Sequence, residues 1–328
     1  MMEQELGRCV ASWCPGATGV VGAAKLSGGA SQETWSFDIM HPRGDVGAIL
    51  RRAPPGYGAS PSRAAGLDAE ATLMQLAHDA GLPSPHVMHV LQPDEELGTG
   101  FIMQRIEGET IARKILRDAQ FAKARPVLAR QLGKVAAGIH GLPASKLPKL
   151  RQMTATREIA DLEREYRGFD WPRPVFELAL RWLGDHDPGP PRKVTLVHGD
   201  FRHGNLIIGP EGLRAVLDWE LAHLGDPMED LGWICVNSWR FGEIDKPVGG
   251  FGSREELFAG YEQAGRRVDP DRVRFWEVMG TLRWGVMCCG MMQRFRTGPD
   301  HSMERAMIGR RSSETEIDLL RLLAPRGK

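Results

Sequence analysis

The chain has 328 residues, which is enough for two domains or two lobes that each bury an apolar core. Lysine and arginine together number 42, as do aspartate and glutamate, so the formal net charge is zero. Balanced charge argues against a protein that binds nucleic acid through bulk electrostatics. The five cysteines form no Cys-x-x-Cys pair and leave an odd one, which argues against a disulfide framework or a zinc site.

The amino terminus carries acids where a secretory signal is basic, and it lacks an apolar core segment. No run of about eighteen apolar residues occurs without interruption, so we expect neither a membrane span nor a membrane partner. Together with the cysteine pattern, these features predict a protein of the reducing cytoplasm.

A glycine-containing loop follows a predicted helix over residues 3–13 and lies between two β-prone runs. Gly28 and Gly29 would let backbone N–H groups approach a phosphate, and Ser31 would add a hydroxyl donor. A Gly-Gly pair between strands is also typical of an ordinary hairpin. The Walker A pattern and the dinucleotide fingerprint are both absent from the sequence, which excludes those two classes of nucleotide site.

The next elements predict a sheet followed by helices. A strand at 46–50 ends at Arg51 and Arg52, a helix is indicated from Leu67 to a stop at Gly81, and two further strands follow. Composition becomes helical beyond residue 110, so the boundary between two parts of the chain is expected near residue 107. The remaining predicted segments are strands at 86–91 and 100–106 and helices at 112–118, 121–140, 154–167, 174–183, 254–264, 270–294 and 303–323.

The most informative stretch follows the fourth of these helices. A β-branched run at 194–197 ends in polar residues, the last of which is Asp200, while Asn205 and Asp218 each border a further short apolar run. This pattern predicts strands that deliver two carboxylates and a carboxamide to one side. Such oxygen ligands suit Mg²⁺, which takes part of its shell from phosphates. The segment therefore predicts phosphoryl transfer, with Asp200 orienting the attacking hydroxyl and Asn205 and Asp218 holding the metal.

The spacing within this stretch matches a known pattern. His198, Gly199, Asp200 and Asn205 keep the spacing of the kinase catalytic loop, His-Arg-Asp-x-x-x-x-Asn, and Asp218 opens an Asp-Trp-Glu where kinases have Asp-Phe-Gly. The chain resembles the aminoglycoside phosphotransferase family of kinase-like enzymes, whose loop carries His-Gly-Asp. Within it, the segment is most similar to the branch associated with acyl-CoA dehydrogenases.

The resemblance implies an α+β, protein-kinase-like, two-lobed fold. Residues 1–106 would form a nucleotide-binding lobe with a five-stranded antiparallel sheet, and residues 107–328 a mainly helical lobe for catalysis and substrate binding. ATP and Mg²⁺ are the implied cofactors, and a small-molecule hydroxyl compound is the implied acceptor. The resemblance specifies neither the oligomeric state nor a preference between ATP and GTP.

Further roles are implied by position. Arg51 would replace the family's strand lysine on the nucleotide phosphates, held by Glu70 from the following helix, and Arg202 would neutralise charge on the moving phosphoryl group. The glycine loop with Gly28, Gly29 and Ser31 would be a short phosphate flap. The connection between the lobes would present backbone groups to the adenine edge at three residues: Gln104, Arg105 and Ile106.

Two other readings of the sequence remain open. The arginine in place of lysine and the thin glycine loop are compatible with a pseudokinase that binds nucleotide without turnover. A metal-dependent hydrolase could instead use His198, Asp200, His203 and His223, and independence of ATP would distinguish it.

The acceptor is indicated only indirectly. The branch resemblance favours a hydroxyacyl compound, with an antibiotic or choline as the alternative. Arg283, Arg294 and Arg296 stand in sequence among tryptophans and methionines, a combination that would suit an anionic acceptor with an apolar chain. The same residues are also typical of a core stripe and a solvated face.

Overall fold

The computed structural model describes residues 2–26, 32–53, 64–169, 171–299 and 301–324. Within them, a five-stranded antiparallel sheet is followed by a mainly helical part, as the sequence predicted. Gly28, Gly29 and Ser31 lie outside the described residues, so the proposed phosphate flap stays a prediction. None of the helices in the described part combines the length and apolarity that crossing a bilayer needs.

The amino-terminal part consists of one sheet between two helices. The strand order is β1-β2-β3-β5-β4, and all neighbours are antiparallel. Strand β3 is central and extends to Ala53, so Arg51 and Arg52 lie within the strand and not after its end. The elements are α1 (Met2–Trp13), β1 (Gly19–Leu26), β2 (Glu33–Met40), β3 (Val46–Ala53), α2 (Leu67–Asp79), β4 (Val87–Val90) and β5 (Thr99–Gln104).

Alternation along β3 assigns its side chains to two separate cores, because successive residues of a strand point to opposite faces. Ala48 and Leu50 pack in a small core with α1. Ile49 packs in the larger core together with residues of α2. Arg51 therefore shares the face of Ile49, whereas Arg52 lies on the α1 side.

The carboxyl-terminal part is built from helices around two short ladders, β6 with β9 and β7 with β8. Strand β9 was missed in the sequence because it has only three residues. The predicted last helix is in fact two helices, which separate at residues 310–311. The elements are α3 (Ala112–Arg117), α4 (Arg125–Ile139), α5 (Ala155–Arg167), α6 (Pro174–Asp185), β6 (Thr195–Val197), β7 (Leu206–Gly209), β8 (Gly212–Val216), β9 (His223–Gly225), α7 (Met228–Trp233), α8 (Arg254–Gln263), α9 (Pro270–Arg296), α10 (Met303–Gly309) and α11 (Ser312–Leu323).

Helix α9 is the central element of the helical part. It contacts α5, α6, α7, α10 and α11, so most of its circumference is covered by other helices. Its first turn is capped by Asp269, whose carboxylate accepts from the N–H of Arg272 at 3.2 Å. Trp276 is buried in the core and donates its indole N–H to Asp226 at 2.9 Å. These contacts position α7, and with it the loop that follows β6.

Candidate active site

The loop after β6 is held by a carboxylate from α7. The backbone N–H groups of His198 and Gly199 donate to the two oxygens of Asp230 at 2.8 and 2.9 Å. Gly199 has φ +82°, and a Cβ on it would lie 2.5 Å from the carbonyl oxygen of Leu221. The His-Gly-Asp sequence therefore requires its glycine, because the left-handed backbone and the close approach both exclude a side chain.

Asp230 is itself fully buried. His140 donates from Nε2 to its carboxylate at 2.9 Å, and the other ring nitrogen of His140 contacts the hydroxyl of Tyr261 at 2.9 Å. Burial alone would raise the pKa of Asp230, but hydrogen bonds and charge from His140 and His198 hold that pKa below its usual range. The carboxylate stays ionised and fixes the loop.

The carboxylate of Asp200 accepts three side-chain hydrogen bonds. Arg202 donates from Nε to Oδ1 at 2.8 Å, and the indole N–H of Trp233 donates to the same oxygen at 2.8 Å. Asn205 donates from Nδ2 to Oδ2 at 2.7 Å. The three donors fix the orientation of a carboxylate that is only 8% exposed.

Asp218 is tied to the same loop through its neighbours. The ring of His198 donates from Nε2 to the carbonyl of Leu217 at 3.0 Å, and the N–H of Leu217 donates to the carbonyl of Asn205 at 2.8 Å. Asp218 has φ +63°, an uncommon conformation for a residue other than glycine that accompanies functional turns. Because the amide nitrogen of Asn205 bonds Asp200, its oxygen and the Asp218 carboxylate form an all-oxygen donor set that fits Mg²⁺.

Arg51 lies in a cluster of three acids at the cleft side of the sheet. Its guanidinium is 3.1 Å from Glu70, 2.6 Å from Asp218 and 3.5 Å from Glu220, measured between nitrogen and oxygen. Burial raises the pKa of Glu70 despite the charge of Arg51, and burial together with Asp218 raises the pKa of Glu220. The cluster has more carboxylates than cations, so it favours a further positive charge.

A cavity of about 340 Å³ opens beside this cluster. Arg51 and Asp218 line one end, and Gln104, Arg105 and Ile106 line another part, so one cleft brings these residues together. The backbone N–H groups of Gln104 and Arg105 are engaged by the carbonyls of His86 and Gly47, each at 2.9 Å. An adenine edge would therefore have to use other backbone groups of this segment. The apolar walls include Leu26, Ile49, Met74, Met103, Ile207 and Leu217.

The side chain of Arg105 is committed to the sheet. It bonds Asp38 at 2.7 Å and the carbonyl of Phe37 at 3.2 Å, and it approaches Glu107 at 3.3 Å. Its guanidinium therefore clamps the sheet to the segment that follows β5. If Arg105 contacts a nucleotide, the contact must come from its backbone.

A model of the phosphotransferase enzyme family matches residues 22–276. The chain belongs to this family. It is 30% identical over 226 residues to acyl-CoA dehydrogenase family member 10 of Mus musculus, an alignment that covers 67% of this chain and 20% of the relative. The phosphotransferase chain thus spans about a fifth of the length of that relative.

Solved structures share the fold of the phosphotransferase. A candidate aminoglycoside phosphotransferase from Ralstonia eutropha JMP134 superposes with a TM-score of 0.72 at 20% identity, covering 97% of each chain. A spectinomycin phosphotransferase, solved in complex with ADP and spectinomycin, gives 0.61 at 15% identity and covers 98% of each chain. These similarities confirm the kinase-like fold and the family resemblance.

Two residues of the phosphotransferase site escaped sequence reasoning. Trp233 donates its indole N–H directly to Asp200. Glu220 was noted only as the third residue of Asp-Trp-Glu, yet it approaches Arg51. The contacts of Asp230 are those of a brace for the loop. No spacing rule identifies such residues, because their partners lie elsewhere in the sequence.

Arg283 does not lie on a solvated face. Its side chain is 11% exposed and pairs with Glu158 at 3.1 Å and Glu229 at 2.9 Å, and its guanidinium lies 5.3 Å from the ring centre of Trp233. Arg294 and Arg296 are exposed, and Trp276 is in the core. The sequence argument for an anionic acceptor, which relied on cations beside tryptophans, therefore loses its most central residue.

The three histidines of the hydrolase alternative do not converge. His198 bonds Leu217, His203 bonds the carbonyl of Gly249 at 2.7 Å, and His223 bonds Glu229 at 3.1 Å. Among the described residues, two groups of side chains have ligand atoms close enough to hold a metal ion, and neither group includes any of these three histidines. Each of these imidazoles instead joins loops of the phosphotransferase.

Replacing Arg51 should lower kcat/KM for ATP more than replacing its neighbour Arg52 does. We expect Arg51→Ala to lower kcat/KM for ATP by about 10- to 100-fold, the worth of one or two charge-assisted hydrogen bonds. Arg52→Ala is the matched control, because Arg52 bonds Glu33 and the carbonyl of Leu97 on the α1 side. Steady-state kinetics at varied ATP would measure both effects, and Tm would be measured for both variants. Equal decreases in kcat/KM would contradict the assignment of Arg51 to the nucleotide phosphates.

The unfolding free energy of the protein should decrease at acidic pH because of His203. Burial lowers the pKa of His203 to about 4, and its Nδ1 has no partner among the described residues, so a proton there would be buried without an acceptor. A folded-state pKa below the unfolded value of about 6.5 means that stability is lost as pH falls, by about 2 kcal/mol at pH 5.

Urea denaturation at pH 7 and at pH 5 measures this loss. His203→Gln should show a smaller decrease in unfolding free energy between the two values than the wild type. His301→Gln, at an exposed histidine, serves as the control and should behave like the wild type. Equal decreases in all three proteins would exclude His203 as the source.

Proposed function

We propose that this chain is an ATP- and Mg²⁺-dependent phosphotransferase that moves the γ-phosphoryl group to a hydroxyl of a small molecule. The observation that carries the proposal is the carboxylate of Asp200, which three donors, one of them the amide nitrogen of Asn205, hold in one orientation. Family membership supports the reaction class. The cavity lined by Arg51 and Asp218 is the proposed nucleotide site.

Asp200 would orient the acceptor hydroxyl and take its proton as the oxygen attacks phosphorus. The donors from Arg202 and Trp233 both end on Oδ1. They fix the direction in which the remaining lone pairs point, so the hydroxyl meets the carboxylate in one orientation. The guanidinium of Arg202 would also lie close enough to offset charge on the phosphoryl group.

Asn205 and Asp218 would hold Mg²⁺, which would supply positive charge against the phosphates. Arg51 would contact the nucleotide phosphates, and Glu70 would hold it in place. In the described structure Arg51 pairs with Asp218 at 2.6 Å. A phosphate and a metal ion would each supply one of these two side chains with a new partner of opposite charge.

The adenine would bind between Ile49 on one side and Ile207 and Leu217 on the other, all of which line the cavity. Because the N–H groups of Gln104 and Arg105 are engaged, we assign the donor for the adenine edge to the N–H of Ile106. The spectinomycin phosphotransferase of the same fold was solved with ADP, which supports a nucleotide in this family.

The acceptor we propose is a hydroxyacyl compound. The support is the similarity to acyl-CoA dehydrogenase family member 10, through the name of that relative. The rings of Trp233 and Trp239 are 5.3 Å apart and those of Trp239 and Trp284 are 4.9 Å apart, but all three side chains are buried in a core cluster and so offer no surface to an acyl chain.

A choline-type acceptor is the second candidate, and a solved structure of the same fold favours it. A choline/ethanolamine kinase family protein from Mesorhizobium loti shares the fold, with a TM-score of 0.64 at 22% identity. Against this candidate, Arg202 already lies over the ring of Trp239 at 4.6 Å. A second cation at the same ring would be repelled.

Removing the carboxylate of Asp200 should nearly abolish turnover. We expect Asp200→Asn to lower kcat by about 10² to 10⁴, the usual worth of general acid–base help, while nucleotide affinity stays within a few fold. Asp245→Asn, at an exposed aspartate, is the control. Turnover of Asp200→Asn within threefold of the wild type would remove Asp200 from the mechanism, and a wild type that binds ATP without consuming it with any acceptor would favour the pseudokinase.

The acceptor class should appear in a direct comparison. With fixed ATP and Mg²⁺, we expect kcat/KM to be higher for a hydroxyacyl-CoA thioester than for kanamycin or choline, because the similarity to an acyl-CoA dehydrogenase family member favours an acyl acceptor. Faster phosphorylation of kanamycin or choline would overturn the hydroxyacyl assignment. It would leave the kinase assignment unchanged, since all three measurements follow ATP consumption.

A further inference from the structure

Three side chains with different ligand atoms converge on the α1 side of the amino-terminal sheet. Cys9 comes from α1, His89 from β4, and Glu95 from a 3₁₀ turn at Pro93–Glu95. The sulfur of Cys9, a ring nitrogen of His89 and a carboxylate oxygen of Glu95 all lie within 4.8 Å of one another. The proposed phosphotransferase mechanism uses none of them.

Glu95 is the centre of this group. Its Oε1 accepts from the thiol of Cys9 at 3.3 Å and lies 2.8 Å from Nε2 of His89. Its Oε2 accepts from the backbone N–H of Gln92 at 2.7 Å, which fixes the orientation of the carboxylate. The hydroxyl of Ser12 donates to Oε1 at 3.3 Å.

The group is enclosed but can be reached from solvent. Cys9 is 3% exposed, and the side chains of His89 and Glu95 are 15% and 9% exposed. The indole of Trp13 stacks on the ring of His89, with centroids 5.1 Å apart and planes 7° apart.

We propose that Cys9, His89 and Glu95 form a binding site for one zinc-type divalent ion, with water as the fourth ligand. Thiolate sulfur, imidazole nitrogen and carboxylate oxygen are the three donor types that Zn²⁺ takes in proteins. The thiol would lose its proton on binding, as metal-bound cysteines do. Thiolate and carboxylate together then balance the charge of the ion.

The separations of the donor atoms fit such a site. Bond lengths of about 2.0 to 2.3 Å in a tetrahedron place neighbouring donors about 3.3 to 3.6 Å apart. The distance from Cys9 to Glu95 is already 3.3 Å, and the distance from His89 to Glu95 would open from 2.8 Å by about 0.5 Å.

The proposed ion would be structural. Cys9 belongs to the small core on the α1 side, whereas Ile49 on the cleft side belongs to the larger core, so the sheet separates the site from the nucleotide cavity. Binding would join α1 to β4 and to the turn before β5. The absence of a Cys-x-x-Cys pair does not exclude this site, because its ligands come from positions far apart in the sequence.

The test is a titration of the metal-free full chain with Co²⁺ and, separately, with Zn²⁺. We expect the near-ultraviolet thiolate-to-cobalt absorption that only a cysteine ligand gives, saturating at one thiolate-bound Co²⁺ per chain beside any Co²⁺ held at the proposed Mg²⁺ site, and displacement of this signal by Zn²⁺. Cys9→Ser should abolish the absorption and weaken Zn²⁺ binding more than about 100-fold, since loss of a ligand exceeds loss of a second-shell partner.

Cys14→Ser is the matched control, because Cys14 follows α1 but lies outside the group. It should bind both metals as the wild type does, while Glu95→Gln should bind more weakly. If Cys9→Ser does not fold, the wild-type titration alone tests the proposal. Wild-type protein that binds Co²⁺ without the thiolate absorption, or that does not bind Co²⁺, overturns the proposal. Unchanged Zn²⁺ binding by folded Cys9→Ser also overturns it. The readout needs no turnover and is therefore independent of the proposed kinase activity.

Discussion

The buried carboxylate of Asp230 is the constraint on which the catalytic loop depends. It accepts the N–H groups of His198 and Gly199 and the ring of His140, so α4, α7 and the loop meet at one charge. A buried ion without such donors would be strongly unfavourable, and removing one donor leaves the charge unsatisfied. The loop geometry that presents Asp200 is therefore maintained from α4 and α7.

A second constraint acts at the cleft, where Arg51 faces Glu70, Asp218 and Glu220. Burial is the main reason that the pKa of Glu70 and the pKa of Glu220 are raised, and the neighbouring carboxylate of Asp218 adds to the rise at both. Such a cluster of acids binds a cation more favourably than it binds an anion. A nucleotide that arrives together with a metal ion meets both demands, whereas free phosphate would meet repulsion from the acids.

The sequence was sufficient for the fold class and for the grouping of Asp200, Asn205 and Asp218, because each of these side chains borders a short strand in the same segment. It was insufficient for Trp233, whose role depends on how α7 packs against the loop. Arg283 was misread because a helical pattern does not tell which acids a neighbouring helix presents. Strand β9 was too short to leave a periodic pattern, and it is recognisable only through its pairing with β6.

The larger core crosses the boundary near residue 106. Met74 and Phe101 from the sheet side belong to the same cluster as Leu206 and Val216 from the helical side. Two bodies that share one apolar core cannot separate without exposing it to water, which is costly. Entry of a nucleotide must then rely on small bending at the mouth of the cleft, and the two lobes should lose their structure together in one cooperative step.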